Sequence, residues 1–195
     1  MRGERTHSVI LEKAVELASL RGLEQLSLAE LAAAAKMSKS GLFAHFDSKE
    51  ELQLATIDRG WEIFESYIHS PRDGEPQGEL DALLERWLAF YECEILPGGC
   101  FFITAAVEFA GQSGAVSDAL ASTLRQELAI LESAVEGARE AGEFHADADA
   151  SQLAFELHSI LLNTNALHHV HQDRVAFDRA RTGFKRVLRA DGPRG

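Results

Sequence analysis

Two four-residue runs, Ser27-Leu-Ala-Glu30 and Ser48-Lys-Glu-Glu51, constrain this chain more than any other feature. Each is a capping box, in which a serine oxygen accepts the backbone N–H three residues on while the glutamate reaches back to the helix start. Each therefore opens a helix. Leu28, Leu31, Ala32 and Ala35 share one face of the first, a short one. The second runs to about Ile68, with Leu52, Ala55, Ile57 and Phe64 available for burial. Between the two starts lies little more than KMSKSGLFAHFD, residues 36–47. A helix between Ser38 and Asp47 spans about seven residues, too few to persist alone in water, so it must be held by packing.

The rest of the chain reads as almost wholly helical. Only four prolines occur, apolar residues recur at three- and four-residue spacing, and period-2 alternation is absent. Thr6 caps a predicted first helix in which Ile10, Ala14, Leu17, Ala18 and Arg21 share a side, with Val9 and Leu11 beside them and Gly22 as the stop. Residues 70–78, SPRDGEPQG, must form a loop. Further helices are expected over about 79–95, halted by Pro97-Gly98-Gly99, and over 117–141, ended by Gly142. An apolar segment, 100–110, and a breaker region, 111–114, lie between those two. Two more helices are expected over about 147–171 and 174–190, and residues 191–195 form a frayed tail.

A net charge of −12 argues at first against a nucleic-acid partner. The acidity is unevenly spread. Residues 1–60 hold 8 Lys+Arg and 9 Asp+Glu, a net of −1, whereas residues 61–195 hold 11 and 22, a net of −11. A near-neutral head beside an acidic body is compatible with phosphate binding by the head alone. No apolar run approaches the roughly 18 residues a membrane span needs. The N-terminus lacks a secretory apolar core. Cys93 and Cys100 are the only cysteines; plain buried thiols in a reducing cytoplasm are the simplest reading.

Three short helices in the first 47 residues, the last two separated by Lys36-Met37-Ser38, follow helix-turn-helix grammar, in which the second helix of the pair enters the major groove. Ser38, Lys39, Ser40 and Gly41 supply small residues and donors at that helix's start, and Leu42, Phe43 and Phe46 supply apolar anchors. The run LAELAAAAKMSKSGLFAHFDSKEEL closely resembles the DNA-binding signature of the tetracycline-repressor (TetR) family of bacterial transcription regulators. The upstream ILEKAVELASLRGLEQLSL matches that family's first helix and its lead into the second. The specific resemblance covers about residues 6–55.

The resemblance implies an all-α fold with a three-helix helix-turn-helix DNA-binding domain over residues 1–47 and a helical ligand-binding and dimerisation domain over 48–195. It implies a homodimer that binds operator DNA, most simply a repressor released by a small-molecule effector, with no cofactor, no metal and no membrane partner. By position, Lys39, Ser40 and Gly41 sit where members approach base edges or phosphates. Phe43 and His45 occupy the aromatic and histidine positions near the DNA backbone, and Lys49 and Ser27 present helix starts to phosphate. Members commonly carry tyrosine where this chain has Phe43, so a phosphate-seeking hydroxyl is missing. They commonly carry glycine in the turn where this chain has Lys36. If that position needs positive φ, a side chain costs about 1 kcal/mol, which phosphate attraction by Lys36 would partly offset.

In the body, the resemblance places dimer contacts on the last two helices, where Phe155, Leu162, Val170, Phe184 and Leu188 stand among more apolar residues than one helix face needs. An effector pocket would draw walls from Trp61, Phe64, Trp87, Phe90, Tyr91, Phe101, Phe102 and Phe109, with Glu108, His158 and Asn163 as orienting groups. Plain core is the simpler reading of each of these aromatics, and Asn163 and Asn165 read equally as hydrogen-bond partners across a dimer seam. His168-His169-Val-His171 has metal-like spacing but no nearby carboxylate or thiolate, and reads as a partly exposed helix end. Two rival functions remain at this stage. A helical enzyme is disfavoured because no nucleophile–base pair or phosphate loop is present; an adaptor that has lost DNA binding gains some ground from Lys36 and Phe43.

Overall fold

The structure is a computed structural model describing residues 2–145 and 147–190, with side chains described for 6–145 and 147–189. Among these residues every regular element is helical: α1 (Arg2–Arg21), α2 (Leu28–Ala34), α3 (Lys39–Phe43), α4 (Lys49–Ile68), α5 (Glu79–Glu92), α6 (Phe101–Glu108), α7 (Ala115–Glu140), α8 (Ala150–His171) and α9 (Val175–Ala190). No described helix is long and apolar enough to cross a membrane. The tail at 191–195 lies outside the described residues.

Three boundaries differ from expectation. α1 begins at Arg2, so Thr6 lies inside it rather than capping it; arginine and glutamate ahead of Thr6 favour helix and carry the turn backward. α3 has five residues instead of about seven. α5 stops at Glu92, and Glu94 turns the chain with φ +49, before the Pro-Gly-Gly run expected to halt it.

The chain divides into two compact units, Met1–Ser66 with Glu94–Thr123, and Tyr67–Cys93 with Leu124–Gly195. In the first, the buried stripe of α1 is Ile10, Leu11, Ala14, Val15 and Ala18; Leu17, expected on it, is half-buried. Leu31 and Ala32 of α2, Leu42 of α3, Phe46, and Leu52, Ile57 and Phe64 of α4 complete the core with Phe101 and Phe102 of α6. Each buried leucine, isoleucine or phenylalanine among them contributes about 1.5–3 kcal/mol by leaving water. Arg59 of α4 ties to Glu62 at 2.8 Å and to Glu12 of α1 at 3.1 Å. The Glu62 hydrogen bond leads in raising its pKa above the ordinary arginine value, against burial that lowers it.

In the second unit, α5 buries most of its surface, including Trp87, Phe90, Tyr91 and the cation Arg86. Arg86 is held by Glu79 at 2.7 Å and the Ala82 carbonyl at 3.1 Å, with Glu75 at 3.5 Å. Asp149 caps α8 by accepting from the Gln152 N–H, and Gln172, with φ +53, ends it. That tight end returns α9 along α8, where Gly183 lies against Ile160. Arg181 of α9 bridges Glu85 and Glu92 of α5. Burial lowers its pKa, and the two carboxylates outweigh that and raise it.

This packing corrects one expectation about the last two helices. Phe184, with Leu153, Leu157, Leu161 and Phe177, is buried within the protomer and is not available to a partner. The α8–α9 contact consumes the face that the sequence left open. Phe155 and Val170 remain outward, 60% and 75% exposed, and Leu162 and Leu188 are half-buried.

Candidate nucleic-acid interface

The turn between α2 and α3 is built almost entirely by local backbone geometry. The Met37 N–H returns to the Ala32 carbonyl at 2.8 Å and the Lys36 N–H to Ala33 at 3.1 Å. That pair of bonds is the Schellman arrangement, which requires a left-handed residue just past the helix end. The residue is Lys36, with φ +55. The positive φ anticipated from the sequence is therefore present, in a lysine where glycine is the comfortable choice.

Ser38 follows in extended conformation and caps α3, its Oγ accepting from the Gly41 N–H at 3.1 Å. Its hydroxyl also lies 3.2 Å from that of Ser40. A Cβ on residue 41 would stand 3.1 Å from the capping oxygen, so glycine lets the first turn of α3 close tightly on its cap. Leu42 and Phe46 point inward and are buried. Phe43 does not share that role: it is 52% exposed, and the five-residue helix turns it away from the two anchors.

Lys36, Ser38, Lys39, Ser40 and Phe43 are thus exposed together along the turn and α3, while Gly41, His45 and Ser27 are half-buried. Ser27 caps α2 by accepting from the Glu30 N–H at 3.2 Å. Glu30 is itself paired with Arg21 at 2.5 Å. His45 has a neighbour that sequence reasoning missed. His7 of α1 stacks on Phe46, ring centroids 5.1 Å apart, and lies 6.2 Å from the His45 ring. No local signal in the sequence links positions 7 and 45.

Lys49 opens α4 as expected, with Ser48 accepting from the Glu51 N–H at 3.0 Å. Glu51 answers by accepting from the Asp47 N–H at 2.6 Å. The Lys49 ammonium donates to the Glu24 carbonyl, so in this structure it is engaged with the protein's own backbone.

The residues expected around an effector divide between the two units. In the first, Phe64, Phe101 and Phe102 are buried with half-buried Trp61 beside them; the Phe101–Phe102 centroids are 4.5 Å apart and Trp61–Phe64 5.5 Å. Phe109 is buried too. Glu108 is not an orienting group in a cavity: its carboxylate accepts from the Leu23 and Glu24 N–H groups. In the second unit, Trp87 donates to the Tyr91 hydroxyl at 2.7 Å and meets His158 edge-on. His158 Nε2 lies 3.0 Å from Glu127 Oε2, both side chains almost fully buried. Phe90 packs on Tyr67, whose phenol burial pushes up in pKa while Arg72, over its ring, pulls it back.

Asn163 is solvent-exposed rather than pocket-facing, because α8 turns Thr164 and Asn165 inward instead. Among the described residues of this unit two open hollows stand out. One of about 370 Å³ is lined by Leu80, Asp81, Glu143, Phe144, Lys185, Leu188 and Arg189. The other, about 410 Å³, is lined by residues 72–76 with Glu85, Arg86 and Ala89. Neither is walled by the aromatics expected. His168 is buried against Phe177 instead of partly exposed. Cys93 is exposed, contrary to the buried-thiol expectation, whereas Cys100 is buried. Among the described residues no group of three or more His, Cys, Asp or Glu is placed to hold a metal.

Comparison with known proteins extends over most of the chain. Residues 10–56 match the family described as bacterial regulatory proteins, tetR family, and residues 76–184 match the tetracyclin repressor-like C-terminal domain. The HTH-type transcriptional repressor ComR of Escherichia coli (strain K12) is 28% identical over 154 residues, 77% of this chain and 73% of its own length. A TetR-family transcriptional regulator from Cytophaga hutchinsonii superposes with a TM-score of 0.83 at 17% identity, covering 100% of this chain and 98% of that one. AibR, solved in complex with isovaleryl coenzyme A and operator DNA, gives a TM-score of 0.65 at 23% identity, over 91% and 95% of the two chains.

Proposed function

The chain belongs to the TetR family of bacterial transcriptional regulators, and from that premise we propose that it is a repressor. It binds a palindromic operator as a homodimer and leaves when a small-molecule effector occupies its helical body. Residues 1–47 read DNA, residues 48–195 sense and dimerise, and the protein works in the cytoplasm.

The observation that carries this reading is the exposed run Lys36, Ser38, Lys39, Ser40 and Phe43, mounted on an α3 whose other side is anchored by buried Leu42 and Phe46. Serine hydroxyls and the Lys39 ammonium are donors suited to phosphates and base edges, and Gly41 permits close approach of the backbone. Lys36 and Lys39 add phosphate attraction in a head whose net charge is near zero. Ser27, His45 and Lys49 flank that face; Lys49 exchanges its bond to Glu24 for a phosphate when DNA arrives.

Reading two half-sites one helical turn apart, about 34 Å, takes two heads, hence a dimer. Exposed Phe155 and Val170, with half-buried Leu162 and Leu188, support a partner contact along α8 and α9. The aromatic groups around Trp61 and Phe102, and around Trp87, Tyr91 and His158, are the supports for an effector site; AibR, which was crystallised with both an acyl-coenzyme A and DNA, is a precedent for two ligands on such a fold. The effector releases DNA only to the extent that it binds the non-reading conformation more tightly.

Footprinting of the full-length protein on the DNA around its own gene tests the reading. A protected two-fold symmetric site whose affinity falls steeply with salt supports it. Absence of any sequence-specific, salt-sensitive protection overturns it.

A further inference from the structure

The corner between α1 and α2 is held by side chains from two distant helices, and it is held by its backbone. The N–H groups of Leu23 and Glu24 both donate to Glu108 Oε2 at the end of α6, at 2.9 and 3.1 Å. The Leu23 carbonyl accepts from buried Gln53 of α4 at 3.1 Å, and the Glu24 carbonyl accepts from Lys49. Both main-chain polar groups of two consecutive residues therefore have side-chain partners.

Gly22 is shaped around the same carboxylate. Its φ is +93, and a Cβ there would fall 1.7 Å from Glu108 Oε1. Residue 22 is glycine both for the turn that ends α1 and to leave room for this acid. A carboxylate accepting two backbone N–H groups makes charge-assisted bonds, stronger than neutral ones.

Three residues beyond Glu24 comes Ser27, the cap of α2. α2 has seven residues and α3 five, so neither persists alone; their aim is set by buried Leu31, Leu42 and Phe46 together with the corner from which the chain enters. We propose that Glu108 is a positioning residue for operator recognition, aiming α2 and α3 by holding the Leu23–Glu24 corner. The inference rests on the operator-binding reading above. Base readout depends on the aim of α3, whereas non-specific phosphate attraction depends on charge and tolerates misalignment.

The test uses the full-length protein, a duplex selected by the wild type from a random-sequence pool, and an unrelated duplex of equal length at the same salt. Glu108→Ala weakens binding to the selected duplex by on the order of tenfold and leaves binding to the unrelated duplex and the helical content unchanged. Glu108→Gln, whose amide oxygen can still accept both N–H groups, recovers affinity to within about threefold of wild type. In a Gly22→Ala background, where the added methyl already displaces the carboxylate, Glu108→Ala adds little, as two residues acting through one contact require.

Wild-type affinity of Glu108→Ala for the selected duplex overturns the proposal. So does equal loss on both duplexes with loss of helix, which marks a residue that only maintains the fold. A wild type that selects no duplex overturns the operator reading and this proposal with it. A selected duplex bound equally well by the variant overturns this proposal alone.

Discussion

The α2–α3 turn and the buried middle of the second unit use polar groups in opposite ways. In the turn, the bonds that set the shape close within five residues: Met37 to Ala32, Lys36 to Ala33, Gly41 to Ser38. In the second unit, His158 meets Glu127 across 31 positions and Arg181 meets Glu85 across 96. Local bonds at the surface compete with water and are individually weak, but they fix direction. His158 and Glu127 are almost fully buried and carry a desolvation cost, so losing one partner is expensive, while Arg181 and Glu85 are only partly buried. The first region is built to aim, and the second to stay together.

That contrast can be broken experimentally. The largest effect is expected at His158→Ala, which removes a buried hydrogen-bond partner of Glu127 and costs on the order of 2–3 kcal/mol, read from urea unfolding followed by circular dichroism. Ser38→Ala removes only a cap and costs about 1 kcal/mol in the same experiment. If the two costs were equal, the distinction between aiming and holding would be lost.

Lys36→Gly sharpens the comparison from the other side. It relieves a left-handed lysine and stabilises the fold by about 1 kcal/mol, while the salt slope of operator binding becomes shallower. Stabilisation with an unchanged slope would show that Lys36 gives nothing back through phosphate. The smallest effect on folding belongs to Lys39→Ala, within about 0.5 kcal/mol of wild type. Its operator affinity nevertheless falls, with the magnitude of the salt slope reduced by about 1. Unchanged affinity would mean that the DNA face lies elsewhere on the head.

The same contrast explains what the sequence made legible. Ser27 and Ser48 announce their helices because a cap and its N–H lie three residues apart, and Gly22 ends α1 as expected for a similarly local reason. The left-handed turn at Lys36 was anticipated because the resemblance marked a glycine there. Contacts made across the fold leave no such trace. The sequence pattern points Glu108 toward an effector, yet it holds a corner some 85 positions away. The pattern points Phe184 toward a partner chain, yet it packs within its own protomer, because helical spacing reveals that a face is apolar without saying what covers it. Phe43 as a buried anchor and Asn163 as a pocket group fail for a related reason: in a five-residue helix, and on α8 with apolar residues on several sides, periodicity leaves orientation undetermined. Glu127, the partner of His158, carried no signal beyond being one acid among many on α7.

Lys36 makes the α2–α3 turn a site where two selections disagree. At a left-handed position glycine is the relaxed choice and asparagine the mildest compromise, and neither carries charge. A library randomised at this codon should therefore drift toward glycine when survivors are chosen by heat, and keep lysine or arginine when they are chosen by how long they occupy their operator.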